Sequence, residues 1–153
     1  MIVDINNQVS ESDENNNDDY DTGRVRVYEL ADLVPRTTSS SCSTPTTGTV
    51  GDYLTSSISI QYENDVSSSH GQSTGTFYWA MYLSTDSTIT TSDTQVGSDQ
   101  YSSSLSSGSY RTDSLSSSNR IPSTMNAGTY YWGYILDVDS DVEEASESNN
   151  ART

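Results

Sequence analysis

The chain has 153 residues, with 22 acidic side chains against 6 basic ones, a formal net charge of −16, and 31% hydrophobic residues. All of its cations are arginines, at positions 24, 26, 36, 111, 120 and 152. Such a field repels phosphate backbones and anionic lipid, which argues against nucleic-acid and membrane-surface partners, and it attracts cations.

Aliphatic residues are few, which with this charge approaches the composition of a disordered chain. Eleven tyrosines and two tryptophans offset that shortage with large buriable rings. A folded domain with long polar loops is the expectation. No apolar run reaches the length of a membrane span. The first ten residues lack the basic and apolar regions of a secretory signal, which carries no message about secretion if the chain is one unit of a longer array. Cys42 is the single cysteine, so no intrachain disulfide forms. It is either a free thiol or a bridge to another copy.

In chain order, residues 1–9 read as a short strand with Ile2 and Val3 apolar. Residues 10–23 are an acidic, asparagine-rich linker or ion-holding loop. Val25 and Val27 alternate in a connecting strand that leads to Leu30, Leu33 and Val34 before Pro35. A Ser/Thr/Gly/Pro-rich loop is expected over 37–51. Leu54, Ser56, Ile58, Ile60 and Tyr62 then keep a two-residue period, the mark of a strand.

Over TFYWAMYLS, Phe77, Trp79, Met81 and Leu83 share one face, and Tyr78, Ala80 and Tyr82 the other, so this strand is central. Residues 84–107 are polar, with weak strands around Ile89 and Val96, and Tyr110, Leu115 and Ile121 mark a polar strand with an irregularity. After a turn at 122–128, Tyr130, Trp132, Tyr134 and Leu136 alternate on the inner face, with Tyr131 and Ile135 outward. A final strand is expected to hold Val142 and Ala145. No helical period of useful length appears, and the spacing of short strands points to an all-β sandwich.

The end of the chain repeats its beginning. Ile135–Asn150 aligns with Ile2–Asn17 at a constant offset, pairing Asp137 with Asp4, Val142 with Val9, Glu144 with Glu11 and Glu147 with Glu14. A fixed-period recurrence signals a tandem array. Residues 1–17 therefore read as the terminal strand and acidic loop of a preceding repeat, or as a strand donated to a neighbour. On this division 18–30 is a linker and 31–153 the domain.

Four segments in this order resemble the cell-adhesion-related domain found in bacteria, CARDB: ADLVPR, SISIQYEND, WAMYLSTDSTITTSDTQVGS and AGTYYWGYILDVDSDVEEASESNN. The likeness spans about 31–150, and the loop at 67–75 departs from the family by being lengthened. It implies an immunoglobulin-like β-sandwich of about seven strands, non-catalytic, commonly tandem, in secreted or surface proteins.

Among the residues that carry chemistry, the acids come first. Hard cations such as Ca²⁺ take six to eight oxygens from carboxylates, amides and backbone carbonyls. In an extended stretch, Asp137, Asp139 and Asp141 would project to one side, with Glu144, Glu147 and Asn150 within reach of a turn. The matching set at the beginning is Asp4, Asn6, Glu11 and Glu14. An acidic run is also commonly a solvated face, so calcium at the joints between repeats and a plain acidic hairpin both stand as readings. Asp86 and Asp93 flank a Thr-rich turn and read as turn aspartates before they read as a second oxygen-rich site. Catalysis finds little support, because His70 is a lone loop histidine and no G-x-S-x-G elbow occurs, although so acidic a chain leaves a glycosidase-type carboxylate pair open. Trp79 and Trp132 read as core before they read as a sugar platform.

Two functional readings follow. One is a non-catalytic structural or adhesion repeat of an extracellular, cell-surface protein or fibre, associating head to tail with copies of itself. The other is an accessory polymer- or protein-binding module of a secreted hydrolase.

Overall fold

The computed structural model describes residues 6, 8–10, 12–13, 24–37, 42–66 and 69–153. The expected strand at Ile2–Val3 lies outside them, as do Asp4, Glu11 and Glu14. The described residues form eight short strands and no helix: β1 Leu33–Pro35, β2 Cys42–Ser43, β3 Ile58–Asn64, β4 Phe77–Ser84, β5 Thr94–Ser102, β6 Tyr110–Leu115, β7 Tyr131–Leu136 and β8 Ala151–Arg152.

They build two antiparallel sheets. In the first, β6 pairs with β3 from Ile58 to Glu63, and β1 and β2 lie end to end along the other edge of β3. Counting that interrupted edge as one strand gives the seven of an immunoglobulin-like sandwich. Proline is tolerated there because Pro35 sits on an edge. The second sheet runs β5-β4-β7-β8.

The core lies between the sheets and follows the two-residue period. Leu33, Ile58, Ile60, Tyr62 and Leu115 from one sheet meet Phe77, Trp79, Met81, Leu83, Val96, Tyr134 and Leu136 from the other. Tyr62 packs edge-on against Phe77 at 5.6 Å. Its hydroxyl donates to Asp113 and lies 2.6 Å from the Ser102 Oγ. Burial, then the bond to Asp113, pushes the Tyr62 hydroxyl pKa well above that of a free tyrosine.

The central strand β4 is apolar on its outer face too. Ala80, Tyr82 and Ile89 form a second cluster there with Ile135 and Val138. Gly133 makes this possible, since a Cβ would come within 2.1 Å of Ile89 Cγ1 and 2.5 Å of the Arg152 carbonyl. Ile89 belongs to a loop folded over the sheet instead of a strand of its own.

Other expectations change in detail. Residues 24–28 form no strand, and Val25 and Val27 are exposed. The loop expected over 37–51 contains β2, whose first residue is Cys42; nothing of that side chain is described. β5 is longer than its sparse apolar residues suggested, and the irregularity lies opposite it, between Trp79 and Met81, while β6 pairs in unbroken register. The segment 137–150 contains no strand: Val142 is core, Ala145 is exposed, and the closing strand is β8.

Asn64, the asparagine at the end of β3, is fully buried. Its Oδ1 accepts the Asp32 N–H at 3.1 Å, and its Nδ2 donates to the carbonyls of Gln72 at 2.8 Å and Leu105 at 3.2 Å. One side chain thus ties three loops together at this end of the sandwich. Replacing it with alanine leaves three backbone groups without partners, at a cost of about 3 kcal/mol. N64A is expected to unfold at clearly lower urea concentration with an unchanged slope; a wild-type midpoint would show that the three loops hold without it.

Candidate functional site

The site is the loop that follows β7. Leu136 ends the strand, and Asp137 takes a left-handed backbone conformation with φ 46°, which aspartate tolerates better than most residues. Its carboxylate then accepts the N–H of Asp141 at 2.9 Å and of Val142 at 3.0 Å. These bonds close the turn and bring Val142 into the core.

The chain next runs beside the start of β1. Glu144 bridges to Ala31, and the Ala145 N–H donates to the Ala31 carbonyl at 2.8 Å. The Glu144 side chain is buried; it accepts the Leu33 N–H on one oxygen and the Asn150 Nδ2 on the other at 2.6 Å. The exposed Glu147 returns to accept the Glu144 N–H at 3.0 Å. One carboxylate oxygen from each of Asp137, Glu144 and Glu147 lies within 4.8 Å of the others.

Two amide oxygens beside this group lack partners among the described residues. Asn150 is 8% exposed and its Oδ1 accepts no hydrogen bond. Asn149 donates its Nδ2 to Asp32 at 3.0 Å while its Oδ1 is buried and unpartnered. Buried amide oxygens are seldom left so.

Of the acids expected to act together, the structure gathers Asp137, Glu144 and Glu147. It leaves Asp139 and Asp141 exposed and outside the group, because the chain turns at Asp137 where an extended stretch would have aligned all three aspartates. Asn6 sits exposed in a turn, with its partners Asp4, Glu11 and Glu14 outside the described residues. Asn149, Asp32 and the Leu33 N–H were not foreseen. The repeated pair Asn16–Asn17 and Asn149–Asn150 was the available signal for the amides. Asp86 and Asp93 each accept a nearby backbone N–H, from Thr88 at 2.7 Å and Thr90 at 2.8 Å. That bond holds the Asp93 carboxyl below the usual range.

The electrostatics of the cluster are those of carboxylates crowded together. Burial raises the Glu144 carboxyl to about 7, opposed by the Leu33 and Asn150 bonds and reinforced by Asp137 and Glu147. Asp137 is raised chiefly by burial, against its two backbone bonds. An oxygen-only set of this kind suits a hard divalent cation and lacks the nitrogen or sulfur that zinc prefers.

Because the folded pKa of Glu144 is above its unfolded value, the folded state holds the extra proton between about 4.5 and about 7. Without added cation, stability from this group is therefore present in acid and is lost as pH rises through about 7. Half a turn of the Asn150 amide presents its free Oδ1 to a protonated Glu144, or to a glutamine there. In EDTA, E144Q should match the wild type near pH 5 and melt at higher temperature than it at pH 8. Parallel curves for the two proteins across that range would contradict the burial of a titrating carboxyl.

The CARDB family model matches residues 30–153. In fold, the chain is similar to a domain of a protein assigned to the cell surface of Methanosarcina acetivorans, at 20% identity and TM-score 0.52, over 80% of this chain and 86% of that one. It is also similar to the CARDB domain of a Pyrococcus furiosus protein crystallised in complex with di-metal ions, at 18% identity and TM-score 0.51, over 88% of this chain and 93% of that one. Both likenesses are of fold. No match is found among curated proteins.

Proposed function

The chain belongs to the CARDB family, a family of non-enzymatic domains associated with the cell surface, and on that premise we propose that it is a structural or adhesion unit of an extracellular surface protein or fibre. Its closing loop holds a hard divalent cation, calcium by preference. The observation that carries the cation is the convergence of Asp137, Glu144 and Glu147 beside the buried, unpartnered Oδ1 of Asn150. Three carboxylates repel one another, and a cation between them converts that repulsion into attraction. Asn150 Oδ1 supplies a neutral oxygen of the kind calcium sites include. A fold relative crystallised with di-metal ions gives the idea independent support.

The head-to-tail part of the proposal rests on the repeat. The cation loop is spelled again at Ile2–Asn17, so joined copies would carry a loop of this sequence at each junction. Each copy would contribute a sandwich whose last loop is stiffened by the ion, and the array would be a chain of such units. The role needs no catalytic group. What it requires is a unit that keeps its shape under load.

Calcium that binds the folded state alone stabilises it by about 2.7 kcal/mol when present at a hundred times its dissociation constant. Millimolar Ca²⁺ should therefore raise the melting temperature by several degrees over excess EDTA at pH 7.5. E147Q, which removes an exposed ligand and leaves the buried bonds in place, should weaken binding at least tenfold. Coincident melts with EDTA and with Ca²⁺ would sink the cation reading. For the array, two copies joined in tandem should give a narrower distance distribution by small-angle scattering in Ca²⁺ than in EDTA; an identical spread would remove the ion from the joint.

A further inference from the structure

We propose that the cleft at the opposite end of the sandwich binds an uncharged saccharide. The cleft lies between the 45–50 loop and the 121–130 turn, with a volume of about 480 Å³. That is within the range of about 300–1,000 Å³ typical of small-molecule sites. Trp132 lines it near the start of β7, whereas the acid cluster follows the far end of the same strand. The two sites are separate.

Charge narrows the ligand first. Acids outnumber bases 22 to 6 in this chain, yet none of the residues lining the cleft carries a charge. A cation would find no carboxylate there and an anion no base. Lining chemistry narrows it further. Trp132, Ile121, Met125 and Leu83 supply apolar surface, and Thr46, Thr47, Thr49, Asn126 and Thr129 supply hydroxyls and an amide.

Among the described residues, the side chains of those five polar residues form no hydrogen bond with the protein. Other loops of this molecule spend such groups on themselves: Thr90 Oγ1 donates to Asp93 at 3.2 Å, and Asn119 Nδ2 to the Ser116 carbonyl at 3.0 Å. A purely apolar ligand would leave the uncommitted donors and acceptors of the cleft unsatisfied on binding. A sugar offers the matching pair of surfaces, with C–H faces for the indole and hydroxyls for the threonines and asparagine.

The walls are also held in place before any ligand arrives. The Trp132 Nε1–H donates to the Pro45 carbonyl at 2.9 Å, which fixes the indole against the loop. The Tyr130 hydroxyl donates to the Asn126 carbonyl at 3.0 Å. Gly51 N–H donates to the Ile121 carbonyl at 2.8 Å and Ile121 N–H to the Asp52 carbonyl at 3.0 Å, binding the two loops to each other. Gly48 permits their close approach, since a Cβ there would fall 2.2 Å from Ile121 Cδ1. A site built on fixed walls loses less entropy on binding.

Tryptophan fluorescence tests this, because Trp79 is fully buried and Trp132 is the reporter. The whole chain, in EDTA so that no cation contributes, is titrated with soluble oligomers of glucose, mannose and N-acetylglucosamine, and with polygalacturonate as the acidic control. At least one neutral oligomer should saturate the signal and shift the NMR amides of 45–50 and 121–130. Thr47→Ala combined with Thr129→Ala should weaken that binding at least tenfold without changing the melting temperature, and W132A should abolish it. Three results would overturn the proposal: no response to any neutral oligomer at millimolar concentration, a response to polygalacturonate alone, or shifts at these amides that follow protein concentration and so report a second copy in the cleft. Failure here leaves the calcium melts untouched, and their failure leaves this titration standing.

Discussion

One bond between distant parts of the chain conditions the whole acid end of the molecule: the Leu33 N–H donated to the buried carboxylate of Glu144. Leu33 opens β1 in the first sheet, while Glu144 lies in the loop that leaves β7 in the second. Taking a carboxylate out of water is costly, and here two hydrogen bonds to its oxygens offset part of that cost. The return is a clasp across the open end of the sandwich. The Ala31 bridge, the Ala145 N–H bond and the Asn149–Asp32 bond all lie alongside it and depend on the loop staying where Glu144 holds it.

The same bond explains why the acids are not simply a solvated face. Glu143, Asp139 and Asp141 are exposed. Glu144 differs by its position against β1, not by its chemistry, and burial lifts its pKa toward neutrality. Asn64 works on the neighbouring stretch from the other side, accepting the Asp32 N–H one residue before Leu33. Between them, a charged side chain and a neutral amide satisfy the backbone where the first strand enters the sheet. At the opposite end the loops are joined by backbone bonds, an indole N–H and the Arg120 guanidinium, which donates to the Gly51 carbonyl at 2.7 Å, and no carboxylate lines the cleft.

The strands were legible in the sequence wherever burial follows a two-residue period. β3 alternates in burial throughout, the core residues of β4 and β7 recur at the same spacing, and the second apolar face of β4 announced its central place through Ala80 and Tyr82. β5 and β6 were faint because few of their residues are buried, Val96, Ser102 and Leu115 among them, and the rest face water. The acid loop was legible as a cluster but not as a shape. An extended chain would have aligned the three aspartates; a positive φ at Asp137 and the capture of two N–H groups by its own carboxylate turn the chain instead. The repeat marks Glu144, which aligns with Glu11, over Glu143, which aligns with Ser10. The burial of Glu144 comes from a partner 111 positions away, which no local window of sequence contains.

On the calcium reading, the fold and the ion are coupled through the same groups. Without a cation, the folded state keeps a proton on Glu144 that the unfolded chain would release near neutral pH. A divalent ion would replace that proton and pair Asp137 and Glu147 with it, so that groups which oppose folding when merely ionised come to favour it. Asn150 fits both states, because its amide presents a donor to the carboxylate in one orientation and a free oxygen in the other. On that reading the loop would be more stable with the ion than without it. On the proposed function, a joint between copies would stiffen only where the cation is present.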